Sequence, residues 1–384
     1  VAVLKNQDIK FGKSSSSDPR IAINQFLDQT NPETSALTVF FCSSEFDVGE
    51  IGDELSHRGR EAQIIGCTSA GEISPAGYSD GTITGFSLPT EGFSSVSVKI
   101  EVISEISIGS IQTSVEDLIV KLDKQEPASP DQETFAFLFV DGMAQCEEIL
   151  ASSINSVLDE IPLFGGSASD GLKFEKTHVF HNGEFCTDSA VLTLVRTPHP
   201  FHVFKTQHYV GTDKKMVVTD ADPQTRVVRE INAEPAATEY ARIIGLPGED
   251  LSPMDFATHP VVVKVGGTDH VRAIQKVNDD GSLTFFCAID TGVVLTLAEG
   301  IDILENLEDT LSNIKENIGA PQLILGCDCV FRTLELEQKQ LKHQAGEIFS
   351  EYNVAGFCTY GEQFQSMHVN QTFTGVAIGM PKDK

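Results

Sequence analysis

The chain of 384 residues has no tryptophan, only five tyrosines and five methionines, and little positive charge: 27 Lys and Arg stand against 56 Asp and Glu, a formal net charge of −29. That shortage of cations excludes nucleic acid and anionic membrane as partners, since both are held through basic patches. No run approaches the roughly 18 consecutive apolar residues of a membrane-spanning helix. The eight cysteines, at positions 42, 67, 146, 186, 287, 327, 329 and 358, are too few for a disulfide scaffold. Most fall inside apolar, strand-like runs, which predicts buried free thiols. No C-x-x-C-H is present, so covalent haem attachment is excluded, and neither a G-x-G-x-x-G after a strand nor a P-loop supports a nucleotide fold. The first residues, Val1-Ala-Val-Leu-Lys-Asn6, lack the basic-then-apolar layout of a secretory signal, so the expected location is the cytoplasm.

What the chain does have is ordinary globular composition, with 40% hydrophobic residues, and a glycine-bearing stretch that recurs. Val354-Ala-Gly-Phe-Cys-Thr-Tyr-Gly-Glu-Gln-Phe364 is echoed by Ile64-Ile-Gly-Cys-Thr-Ser-Ala-Gly-Glu-Ile73. A looser version is Ile161-Pro-Leu-Phe-Gly-Gly-Ser-Ala-Ser-Asp-Gly171, with Asp170 in the acidic place. A strand ending in small residues brings backbone N–H groups close to whatever lies beyond it; a tight capped bulge would use the same residues. Each stretch follows a buried strand (Ala36–Cys42, Phe135–Asp141, Gln322–Gly326) and a helix (Val48–Arg60, Cys146–Leu158, Glu335–Tyr352). Asp18-Pro19 opens an earlier helix with Asp18 as its cap, and His181-Asn-Gly183 marks a hairpin. The unit of strand, helix and Gly-rich strand thus starts near 36, 135 and 321. It predicts an α/β fold with mixed-sheet α+β elements, in two domains divided near 233.

Candidate chemistry gathers on these stretches. Glu72 and Glu362 could face one cleft and hold an ammonium group, or each could cap its own turn. Arg332 could take a ligand carboxylate bidentately, or pair with an acid of the chain. If the three converge, the site suits a zwitterion. Gly66, Cys67, Ser69 and Gly71 in the first motif, and Cys358, Tyr360 and Gly361 in the second, complete the candidate ligand-binding set. His199, His202 and His208 crowd one segment, and 202 and 208 share a strand face. With His368, His202 and His208 are the candidate axial ligands of a b-type haem in a pocket built from the 24 phenylalanines; hydrogen-bonded or surface histidines are the plainer reading. Cys327 and Cys329 share a strand face without a second cysteine pair to complete a zinc site. Cysteine hydrolase chemistry at Cys67 or Cys358 would need a histidine base nearby and is the least favoured class.

The ordered set of motifs resembles the FIST family. It comprises 65–73, 356–364, Phe164-Gly-Gly-Ser-Ala-Ser-Asp-Gly171, Val217-Val-Thr-Asp-Ala221, Ile231-Asn-Ala-Glu-Pro-Ala236 and Gly326-Cys-Asp-Cys-Val-Phe-Arg332. The resemblance runs from about 36 to 379. It implies a lead-in over 1–35, a FIST N-like domain over 36–232 and a FIST C-like domain over 233–384. It further implies an intracellular, non-enzymatic sensor that binds a small molecule such as an amino acid. With no output domain before residue 384, such a sensor would signal through a histidine kinase or another signalling protein, and a homodimer is compatible with it. The stand-alone haem-binding nitric oxide sensors (NosP), which act in two-component systems, are similar in size and layout; that likeness implies haem b as cofactor.

Overall fold

Three passes of one strand-and-helix pattern generate the body of the molecule, seen in a computed structural model that describes residues 8–58, 62–248 and 250–380. The first repeat runs β1 (Lys10–Ser14), α1 (Pro19–Thr30), β2 (Ser35–Ser43), α2 (Val48–Arg58), β3 (Ile64–Ser69), the hairpin β4 (Glu72–Ser74) and β5 (Gly77–Ser79), then β6 (Ile83–Pro89). The second has the same order: β7 (Ser94–Glu101), α3 (Ile108–Gln125), β8 (Glu133–Val140), α4 (Glu147–Leu158), β9 (Leu163–Ser167), β10 (Val179–His181), β11 (Glu184–Cys186) and β12 (Ser189–Thr197). The third begins with β13 (Phe201–Thr206) and is then interrupted. The interruption holds β14 (Tyr209–Asp222), β15 (Val227–Ile231), β16 (Glu234–Pro235), α5 (Ala236–Ile244), α6 (Pro253–Thr258), β17 (Val261–Val265), β18 (Thr268–Arg272), β19 (Ile274–Val277), β20 (Leu283–Phe285) and β21 (Val294–Gly300). The pattern resumes with α7 (Ile303–Ile318), β22 (Pro321–Cys329), α8 (Val330–Gln338), α9 (Lys342–Glu351), β23 (Val354–Thr359), β24 (Glu362–Phe364), β25 (Met367–Val369) and β26 (Phe373–Gly379).

Each repeat builds a six-stranded mixed sheet, and each lends its hairpin to a neighbour. The sheet orders are β1-β6-β2-β3-β10-β11, β7-β12-β8-β9-β24-β25 and β13-β26-β22-β23-β4-β5. The exchange is cyclic, so the body has a pseudo-threefold arrangement. Alternation along the central strands sorts side chains to two faces. Val39 and Phe41 of β2, Phe135, Phe137 and Phe139 of β8, and Leu323, Leu325 and Cys327 of β22 point into one shared core. The alternate residues Phe40 and Cys42, Ala136 and Leu138, and Ile324 pack outward under the helices of their own repeats. This double coverage is why these strands read as unbroken apolar runs. At the centre Phe41 stacks on Phe357 at 4.6 Å and Phe139 meets Phe357 edge-on at 5.5 Å. Each such ring contributes about 1.5–3 kcal/mol by burial.

The chain is therefore mixed α/β, made of repeated strand, helix and glycine-strand units, and the cap expected at Asp18 accepts the Ile21 N–H at 2.9 Å. Two expectations need correction. The single helix expected over Glu335–Tyr352 is two, α8 and α9, broken where Gln340 takes φ +59°. Arg332 consequently lies inside α8 rather than ahead of a helix. Of the helix expected over Val48–Arg60, residues 59 and 60 lie outside the described residues, as do 1–7 of the lead-in. The division expected near 233 falls in the turn between β15 and β16, within the eight-stranded sheet of the interruption. No helix among the described residues is long and apolar enough to cross a membrane.

Candidate functional site

The three glycine strands end at one point, where their loops close a ring of backbone hydrogen bonds. Ala70 N–H donates to Cys358 C=O at 3.3 Å, Tyr360 N–H to Ser167 C=O at 3.3 Å, and Ser169 N–H to Thr68 C=O at 3.1 Å. A second ring ties each borrowed hairpin in place: Cys358 N–H to Gly71 C=O at 2.8 Å, Ser167 N–H to Gly361 C=O at 2.8 Å, and Thr68 N–H to His178 C=O at 3.0 Å. The strand glycines serve this exchange. A Cβ on Gly66, Gly165 or Gly356 would stand 2.4, 2.2 or 1.8 Å from the carbonyl oxygen of Phe40, Leu138 or Gly326 on the adjacent strand. Their bareness faces protein backbone, not a ligand.

The two motif glutamates occupy equivalent places, each the first residue of its hairpin. Glu72 accepts from Ser69 Oγ at 2.5 Å and from the Thr82 N–H and Oγ1 at 3.0 and 2.7 Å. Glu362 accepts from the Thr359 hydroxyl, and from the Thr372 N–H and Oγ1 at 3.2 and 2.6 Å. Both are wholly buried, and burial pushes their carboxyls up, to about 7 for Glu72 and about 8 for Glu362. Each caps its own turn. In the second repeat the register puts Val179 in this place, so Asp170 is not the third glutamate. There Asp141, at the end of β8, takes over, accepting from the Thr177 hydroxyl and from the Asp188 N–H at 2.5 Å.

Asp170 instead starts an insertion, residues 170–177, that only the second repeat carries between its ring residue and its hairpin. Its carboxylate accepts the N–H groups of Phe174, Glu175 and Lys176 at 2.9, 2.9 and 2.8 Å, and the hydroxyl of Tyr360. Burial opposes ionisation, yet the Tyr360 hydroxyl and these amides hold Asp170 below the usual carboxylate range. Between this loop and the first repeat lies an open polar cleft of about 200 Å³. Its floor is Ser69, Gly71 and Glu72; around it stand Glu45, Asp80 and Asp170, with Lys173 as the cation among the lining residues. The pseudo-equivalent mouths are filled. Where the first repeat has Glu45, the second has Met143 and the third Phe331, and both pack into the core of the inserted sheet with Ala70, Phe174, Phe286 and Tyr360.

Comparison with known proteins agrees with this architecture. The FIST N domain matches residues 36–234 and the FIST C domain residues 236–365. The chain belongs to the FIST family. FIST domains are sensory modules that generally take small ligands. An uncharacterized protein of Methanocaldococcus jannaschii is 25% identical over 354 residues, covering 82% of this chain and 67% of that protein. The two FIST segments interlock here, since β4 of the N segment pairs with β23 of the C segment and β24 of the C segment with β9 of the N segment.

In this FIST chain the remaining candidate residues lie apart from the cleft. Arg332, wholly buried, donates to Asp328 at 2.7 Å and to His208 Nδ1 at 3.0 Å; Tyr78 donates to the other Asp328 oxygen at 2.7 Å. His208 donates from Nε2 to Glu335 at 2.7 Å, and Tyr209 donates to the same carboxylate at 2.5 Å. Burial works against Glu335, but the bonds from His208, Lys339 and Tyr209 bring it down to about 2. This network fastens α8 to the root of the inserted sheet. His368 is buried, its Nε2 at 3.2 Å from the Phe286 carbonyl and its ring against Gly361. His202 is exposed on β13, and His199 stacks on Phe93 at 4.7 Å. None of these rings turns a free nitrogen into an apolar cavity, so the residues as arranged do not fit an axial haem ligand. Cys67 and Cys358 are buried, burial pushes both thiols up, and the hydroxyl beside Cys358 is that of Thr333 at 3.3 Å. Sequence reasoning found Ser69, Gly71 and Glu72 but missed Glu45, Asp80 and Lys173. Asp80 follows Ser79 and Lys173 stands two residues after Gly171 in short loops, a weak signal shared by many solvated loops.

Proposed function

We propose that this FIST protein is a sensor of a small, ammonium-bearing polar metabolite of amino-acid type, bound without cofactor in the cleft between the first and second repeats. The observation that carries this reading is the cleft's make-up: the acids Glu45, Asp80 and Asp170 and the Lys173 ammonium line one small opening above the buried Glu72. Such a pairing suits a zwitterion. Its volume, about 200 Å³, lies below the roughly 300–1,000 Å³ of drug-sized pockets and fits a molecule of a few heavy atoms. The haem-based nitric oxide reading is disfavoured by the engagement of His208 and His368 with protein partners. A separate protein, such as a histidine kinase, would read the liganded state. A thermal-shift screen of the L-amino acids and simple amines tests the proposal. The expected result is stabilisation by a narrow subset, lost in Asp80→Asn; equal stabilisation of wild type and Asp80→Asn would overturn it.

A further inference from the structure

The insertion 170–177 touches both the cleft and the inserted sheet. On the cleft side it supplies Asp170, Gly171 and Lys173. On the other side Phe174 packs against Phe286 at 5.6 Å and against Tyr360 at 4.8 Å. Phe174 holds φ +53°, an uncommon conformation for a bulky residue, and it does so because Asp170 and the Tyr360 oxygen both accept its N–H. Phe286 is in turn a hub. Its carbonyl accepts from Arg226 Nη1 at 2.5 Å and lies 3.2 Å from His368, and its N–H donates to Ala273 C=O at 3.0 Å. Arg226 carries the connection to Glu147 and Glu148 of α4 at 2.6 and 2.5 Å, and Glu148 also receives the Ala288 N–H at 2.8 Å. The links from Asp170 through Phe174 and Phe286 to Arg226 are buried or half-buried, so a shift at one end has few soft places in which to dissipate, and only the Ala288 contact at the far end is exposed.

We infer that residues 170–177 are a coupling strap that transmits occupancy of the cleft to the inserted sheet, with Asp170 and Tyr360 as its positioning residues and the Phe174–Phe286 contact as its handle. The trigger half rests on the cleft reading above, while the mechanical half stands without any ligand. In the strap's resting form Lys173 is exposed at the rim. A bound carboxylate would draw Lys173 inward, and the tie at Asp170 turns that movement into a rotation of Phe174 on Phe286. The inserted sheet is thereby the surface on which the two states differ.

Amide hydrogen exchange on the full chain tests the mechanical half. In Asp170→Asn and in Tyr360→Phe the amides of Phe285, Phe286 and Ala288 should exchange about tenfold faster, the loss of one charge-assisted hydrogen bond. They should keep wild-type rates in Asp80→Asn, which alters the cleft but not the strap. Wild-type protection at 285–288 in both strap variants, with faster exchange confined to 170–177, would overturn the inference. Should Asp170→Asn fail to fold, Tyr360→Phe and Phe174→Ala carry the same test. The absence of native tryptophan allows Leu172→Trp to serve as the sole indole reporter of the cleft, titrated with each L-amino acid. A response there without any change at 285–288 overturns the coupling and leaves the cleft reading intact. No response to any amino acid removes the cleft reading, and the exchange comparison still decides the mechanical half.

Discussion

At the level of single residues, the two buried glutamates make the sharpest statement. Glu72 and Glu362 have folded-state carboxyls raised by burial to about 7 and about 8, above the ordinary glutamate value of 4.5. Between those values the native state holds more protons than the unfolded chain, so their contribution to stability is greatest at low pH and declines as pH rises toward 8. One such group costs up to about 1.4 kcal/mol per pH unit across its window. Glu362→Gln should remove that slope, because the amide can donate to Thr359 and accept from Thr372 as the protonated acid does. Urea melts between about pH 5 and about pH 8 check this: the variant should gain on wild type as pH rises. A parallel pair of curves would show that Glu362 is charged throughout. The sequence displayed both glutamates plainly but left open whether they faced a cleft or capped their own turns. The difference depends on Thr82 and Thr372, ten residues further along the chain in each case, which only the folded hairpins bring to the carboxylates.

At the level of elements, the glycine strands were legible as a threefold repeat, whereas their purpose was not. Gly66 counted among the candidate ligand-binding residues, with a tight capped bulge as the alternative for the motif; in the fold Gly66 and Gly356 let two strands approach at the point of hairpin exchange. Exchange between repeats far apart in sequence leaves no local trace, since the pairing of Gly356 with Ile73 is invisible to periodicity. A contrast of two glycines tests this role. In Gly356→Ala the new Cβ would lie 1.8 Å from the Gly326 carbonyl oxygen, so the strand pair must part, at a cost of about 3 kcal/mol or more. At Gly81, φ +68° with open space beside it, alanine should cost only about 1–2 kcal/mol. Comparable losses in thermal melts of the two variants would contradict the crowding account. The strap 170–177 shows the opposite limit. Asp170 was singled out from sequence, yet as a member of the repeat rather than as the start of an insertion that breaks it.

Across the whole molecule, the inserted sheet turns a threefold scaffold into an asymmetric one. Its core seals the mouths marked by Met143 and Phe331 and leaves the one marked by Glu45 open. One site per chain follows, and binding stoichiometry should be one rather than three. Proton linkage at that site has a definite sign. An ammonium beside Glu72 favours its charged form against burial and the nearby Asp80, so binding near pH 7 releases protons and affinity rises with pH through about 7.

The most direct measurement is calorimetric titration of the amino acid selected by thermal shift, in two buffers of different ionisation enthalpy at about pH 7. One site per chain, net proton release, and at least about tenfold weaker binding in Asp80→Asn and in Lys173→Met are expected. Unchanged affinity in the combined Asp80→Asn and Lys173→Met protein would contradict this and place the ligand elsewhere in the fold.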